Sequence, residues 1–115
     1  MTNRPEVALV VLDNMSYASI VGRETVEALG VPIVLGDIAK SEDVKRAGKG
    51  VDVIVNFAAQ THNDNSIADP DIFFSTNVLG TLELVKYAAT NGVRFHQIST
   101  DEVFGDLALE GTDKF

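Results

Sequence analysis

The segment VDVIVNFAA, Val51 to Ala59, decides how the rest of the chain is read. Its branched apolar residues follow one another almost without interruption. A strand with one wet face alternates apolar and polar residues. A continuous run marks a strand buried on both faces, as in a parallel sheet covered by helices. Three further runs have this character: VALVVLD (Val7–Asp13), PIVLGD (Pro32–Asp37) and RFHQIS (Arg94–Ser99).

Helical patterns separate these runs. Ser41 is placed to cap SEDVKRAGK, which Gly48 and Gly50 then terminate. The strongest pattern runs from about Pro70 to Asn91, with Asp69 as cap, Pro70 at the first helical position and Gly92 closing it. Along it Phe74, Val78, Leu82, Val85 and Ala89 form one apolar stripe. Gly80 lies mid-helix, where glycine costs about 1 kcal/mol relative to alanine, and close packing against the sheet is its expected reason. A weaker helix covers Arg23–Leu29. The order is β-α-β-α-β-α-β, a doubly wound α/β sheet.

The 115 residues suit one domain, and a hydrophobic content of 45% with 23% charged residues is that of a globular chain. With no cysteine, neither a disulfide framework nor a thiolate metal site can form. Two histidines, His62 and His96, do not suffice for a structural zinc site, so no metal is expected. Both read as ordinary loop and strand residues. The net charge of −8 argues against a nucleic-acid partner, which needs a basic face. MTNRPE carries no apolar leader core and no run reaches membrane-spanning length. A cytoplasmic protein is the expectation.

In doubly wound sheets ligands bind at the carboxyl ends of the strands. Here those ends read Asp13-Asn14, Asp37-Ile38, Phe57-Ala58-Ala59-Gln60-Thr61-His62 and Thr100-Asp101-Glu102. Asp13 suits the acid that bonds a ribose diol in dinucleotide-binding folds, and equally suits a helix N-cap. Asp37 after Gly36 reads first as a turn. Ala58 and Ala59 leave room either for a planar cofactor or for a helix. Thr76 and Asn77 occupy early turns of the long helix, where polar residues are common. Asp101 and Glu102 are two adjacent carboxylates at the end of a buried strand, a helix cap or a proton-transfer pair. None of the nine glycines forms G-x-G-x-x-G.

At STDEVFGD the chain resembles the dTDP-glucose 4,6-dehydratases, extended short-chain dehydrogenases acting on nucleotide sugars. The resemblance continues in register through VVLDNMSYAS, VLGDIAKSEDV, NFAAQTHNDNSI and FFSTNVLGTLELV. It implies a Rossmann-like fold and NAD as cofactor. Asp13, Asn14, Met15 and Ser16 would then lie along the adenosine ribose, with Asp37 and Ile38 beside the adenine. Phe57, Ala58, Ala59, Gln60, Thr61 and Thr76 would line the nicotinamide half. Thr61 and Thr100 would touch the sugar of a dTDP-sugar substrate, Asp101 would be the general acid and Glu102 the general base. Oxidation at C4 of the glucose makes the C5 proton removable, and the C6 hydroxyl leaves as water once protonated, so one acid and one base are needed. Gln60, Thr61 and Phe104 replace the family's usual Glu, Ser and Tyr, while Asn14, Asn63 and Asn65 are further departures.

The same resemblance places a first strand with its glycine-rich turn before Met1 and a Tyr-x-x-x-Lys pair after Phe115. Neither Tyr17 nor Tyr87 has Lys four residues on. The 115 residues therefore read as an internal fragment, a partial NAD-binding Rossmann domain, inactive alone, of an enzyme expected to be a homodimer through helices including Pro70–Asn91. In the family's 3-2-1-4-5 strand order the first strand is central. Without it, the Val7–Leu12 and Val51–Phe57 strands either pair directly or leave a marginal chain that self-associates. A nucleotide-sugar epimerase and a non-catalytic nucleotide-binding remnant are the competing readings.

Overall fold

The computed structural model describes residues 7–16, 19–61 and 63–105. Tyr17, His62 and Asp106 lie outside them. The order is β1 (Val11–Asp13), α1 (Ser19–Ala28), β2 (Ile33–Leu35), α2 (Ser41–Gly48), β3 (Val53–Asn56), α3 (Asn63–Ala68), then one long helical segment and β4 (Arg94–Gln97). The long segment comprises α4 (Pro70–Phe73), a wide π turn over Phe74–Gly80, and α5 (Thr81–Asn91). A short 3₁₀ turn, Asp101–Phe104, follows β4. All four expected strands are present but shorter than their apolar runs, and α3 was not anticipated.

All pairing is parallel, as the unbroken apolar runs require. β1 pairs with β2 in the register Val11↔Ile33 to Asp13↔Leu35, and β3 with β4 in the register Val53↔Arg94 to Asn56↔Gln97. β1 and β3 do not pair, so the first of the two expected outcomes for these strands is not what forms. Arg94 N donates to Asp52 O and Ile98 N to Asn56 O, so by the alternation of a parallel ladder Val53 and Val55 turn their backbone groups to the open edge of β3. Val11 N and Asp13 O likewise engage β2, which leaves Leu12 facing the open edge of β1.

The two half-sheets share one roof. Ile38, Val44 and Leu84 form the core, and Leu12 of β1, Ile54 of β3, Tyr87 of α5 and Phe95 of β4 pack against it. The long helix therefore faces inward with Gly80, Leu84 and Ala88, all buried. This corrects the expected stripe: Phe74, Val78, Leu82 and Val85 are exposed, at 56, 48, 44 and 41%. Leu82 and Leu84 differ by two residues, roughly 200° around the helix, so the two faces are nearly opposite. The helix is apolar on both sides, and periodicity alone cannot say which side meets the sheet.

The termini of the helices follow local chemistry. Asp69 accepts from Ile72 N at 3.4 Å, with Pro70 in the first turn, and Gly92 closes α5 at φ +67°. Lys40, not Ser41, is the N-cap of α2, and no side chain caps it. The carboxylate of Asp43, which could have served that helix end, is engaged elsewhere. Gly80 packs tightly, but against the β2–α2 loop: a methyl there would sit 2.6 Å from Ile38 Cδ1 and Cγ1.

Candidate functional site

A cavity of about 350 Å³ opens where β1, β2 and β3 end. At the first strand end the chain makes two successive Asx turns. Met15 N donates to Asp13 Oδ1 at 2.6 Å, and Ser16 N to Asn14 Oδ1 at 3.1 Å. Met15 adopts φ 56°, a left-handed conformation unusual for a side chain of its size. Asp13 thus holds the strand-end turn and is not the N-cap of α1, which begins at Ser19.

The second strand end is fixed by an ion-pair cluster. Asp37 Oδ1 accepts from Ala39 N at 2.9 Å, while Asp37 N donates to Asp43 Oδ2 at 3.0 Å. Arg46 pairs with Asp43 at 2.8 Å and donates to Leu35 O at 2.6 Å, tying α2 back to β2. The amide of Asp37, with help from Arg46, holds the Asp43 carboxyl below its ordinary range.

At the third strand end, Ala58 N donates to Asn56 Oδ1 at 3.1 Å. Asn77, in the π turn, makes a reciprocal pair with the backbone of Gln60: Gln60 N donates to Asn77 Oδ1 at 2.8 Å, and Asn77 Nδ2 to Gln60 O at 3.0 Å. The turn's extra residue and this latch occur together, so Asn77 does more than the early-turn placement of a polar residue suggested. Ala58 and Ala59 are exposed, with no helix packed over them among the described residues.

Asp13, Asn14, Met15, Ser16, Asp37, Ile38, Phe57, Ala58, Ala59, Gln60 and Thr76 all line this cavity. Thr61 does not, and neither do Thr100, Asp101 and Glu102. Those three sit on the exposed turn after β4, where Thr100 Oγ1 donates to Glu102 Oε2 at 3.5 Å. The carboxylates are thus carried by a solvated turn, and β4 before it is itself mostly exposed, with only Phe95 half-buried, so the strand is not buried as its sequence suggested. Arg23 also lines the cavity from α1, paired with Glu27 at 2.7 Å. It was missed because α1 has weak periodicity, though a cation one helix turn into the segment after Asp13 was a usable signal. Asn56, Asp43 and Arg46 were missed as well, since their work is to hold backbone. Among the described residues no cluster of three or more His, Asp or Glu could hold a metal, and no helix is long and apolar enough to cross a membrane.

Known proteins resemble this chain in sequence and fold. The dTDP-glucose 4,6-dehydratase of Mycobacterium tuberculosis (strain CDC 1551 / Oshkosh) is 40% identical over 113 residues, 96% of this chain and 34% of that protein. The crystal structure of DesIV, a dTDP-glucose 4,6-dehydratase from Streptomyces venezuelae with NAD and TYD bound, is similar at a TM-score of 0.76 and 41% identity. The match covers 86% of this chain and 32% of that one. A UDP-glucose 4-epimerase of Thermus thermophilus in complex with NAD is 34% identical at a TM-score of 0.64, over 73% of this chain and 26% of that one. The chain therefore spans about a third of the length of the curated dehydratases it matches. The α/β architecture is Rossmann-like, in part. The model of the NAD dependent epimerase/dehydratase family matches residues 2–114, and the chain belongs to that family.

Proposed function

We propose that this chain is the strand-end portion of an NAD-dependent dTDP-glucose 4,6-dehydratase, a partial NAD-binding domain. One observation carries the reading. β3 and β4 are paired in register, β3 runs into the cavity lining, and β4 runs into a turn bearing two adjacent carboxylates, Asp101 and Glu102.

The residues present suit a dinucleotide. Two strand ends offer carboxylates, Asp13 and Asp37, and exposed Ala58 and Ala59 leave a flat, open approach beside them. Asp13 to Ser16 would hold the adenosine ribose, Asp37 and Ile38 the adenine side, and Phe57 to Gln60 with Thr76 the nicotinamide half. When bound, the nicotinamide supplies hydride acceptance from C4 of the sugar and its return to C6. The chain's own part is proton handling. Glu102 takes the C5 proton, acidic once C4 is a ketone, and Asp101 gives a proton to the departing C6 hydroxyl. Thr61 and Thr100 bond the sugar hydroxyls. The sequence contains no Tyr-x-x-x-Lys pair to take the C4 hydroxyl proton, so these 115 residues alone are expected not to turn over.

The complete enzyme is a homodimer on this reading, and the exposed stripe Phe74, Val78, Leu82 and Val85 supports it by giving the long helix a second apolar face to cover.

The test is to graft residues 7–105 in place of the matching third of the Streptomyces venezuelae enzyme and follow dTDP-glucose. The expected product is the 4-keto-6-deoxy sugar with loss of one water. Asp101→Asn with Glu102→Gln is expected to slow that loss by about 10²–10⁴-fold. A C4 epimer would favour the epimerase, a reading with the Thermus structure behind it, and no conversion would sink both.

A further inference from the structure

Asn56 is the buried polar residue of the described core, 3% exposed, in a strand otherwise made of valine and isoleucine. Burying an amide is unfavourable unless its hydrogen bonds are satisfied. Here the partners come from three elements. Oδ1 accepts from Ala58 N at 3.1 Å, on the loop lining the cavity. Nδ2 donates to Gln97 Oε1 at 2.9 Å, the register partner at the end of β4, and reaches Thr81 Oγ1 on α5 at 3.4 Å. Gln97 passes the contact on: its Nε2 donates to Ile98 O at 2.9 Å, two residues before Thr100. The backbone repeats the link, with Ile98 N donating to Asn56 O at 3.1 Å.

The geometry points to Asn56, acting through Gln97, as the positioning residue that sets the acid/base turn after β4 against the cavity at the end of β3. This rests on the proposed dehydratase reading for its kinetic consequence, but not for its structural one. A valine at position 56 would suit the strand better for packing. An amide there satisfies Ala58 N with one end and fixes Gln97 with the other, so the two strand ends cannot shift independently.

Two variants of equal length separate positioning from packing. Gln97→Glu keeps an oxygen to accept from Asn56 Nδ2, and Gln97→Met does not. In amide NMR spectra of the 115-residue chain, Gln97→Met is expected to move the resonances of both Ala58 and Thr100, while Gln97→Glu leaves Ala58 in place. In the grafted dehydratase, Gln97→Met should lower the turnover of water loss by about 10- to 100-fold, the usual consequence of misplaced catalytic groups, with a smaller loss of NAD affinity. Gln97→Glu keeps the bond from Asn56 but has no donor for Ile98 O, and should recover only part of the turnover. Unmoved Ala58 or Thr100 resonances in Gln97→Met overturn the inference whether or not the graft is active. Equal losses of turnover and NAD affinity overturn it too, because they signal general loosening. If the wild-type graft fails to dehydrate while both resonances move as stated, the dehydratase reading fails and the coupling stands.

Discussion

Asp43 shows how one carboxylate can hold a site it does not enter. It accepts from Asp37 N and pairs with Arg46, which itself grips Leu35 O, so a single ionised group fixes the loop that puts Asp37 and Ile38 on the cavity. Its folded pKa is lowered from 3.8, by the Asp37 amide first and by Arg46 and Lys40 as well. A depressed carboxylate contributes stability above its unfolded value and loses it as pH falls through the folded one. The Asp37 amide resonance is therefore expected to show a step below the ordinary carboxylate range, as Asp43 takes up its proton. Asp43→Asn should abolish that acid transition. A transition persisting in the variant would assign it to another group. Asp37 was legible as a strand-end residue and read first as a turn, which its bond from Ala39 N makes, but nothing pointed to Asp43, whose importance depends on where α2 lies against β2.

Among the elements, the long helix is the instructive case. Its caps, its start and its stop were legible from Asp69, Pro70 and Gly92, because capping is local chemistry. Its inward face was not, since apolar residues lie on both sides and the π turn over Phe74–Gly80 changes the phase between α4 and α5. Gly80 marks the true inner face, and its contact with Ile38 can be tested by a change of sign. Gly80→Ala should destabilise the chain by about 1 kcal/mol, overpacking against Ile38 outweighing the gain in helix propensity. With Ile38→Ala the obstructing Cγ1 and Cδ1 are gone, and the same Gly80→Ala change should then stabilise by about 1 kcal/mol. Urea midpoints of the four variants measure this, and additive effects would exclude the contact. Strand identity and parallel pairing followed from unbroken apolar runs. Strand length did not, because Val7 to Val10 are apolar enough for a sheet yet have no neighbour to pair with among the described residues.

Over the whole molecule, two parallel half-sheets hang from one small core of Ile38, Val44 and Leu84, with Ala88 the other buried hydrophobic among the described residues. Val53 and Val55 remain 41 and 49% exposed at the open edge of β3, and the outer stripe of the long helix is also uncovered. Such surface favours association. Sedimentation of the 115-residue chain is expected to show mass rising with concentration, and Val78→Lys with Leu82→Glu should reduce it. A concentration-independent monomer would contradict this. Amide exchange should be faster at Leu12, Val53 and Val55 than at Ile54 and Asn56, which engage a partner strand. The cavity, meanwhile, has its walls on different leaves: Asp13 and Asp37 on one, Phe57 to Gln60 on the other. The two walls are joined through the one core of Ile38, Val44 and Leu84, as the arms of a clip are joined at their base. A molecule that grips both walls stiffens the whole clip, so occupancy and melting temperature must climb together, one free energy read on two instruments.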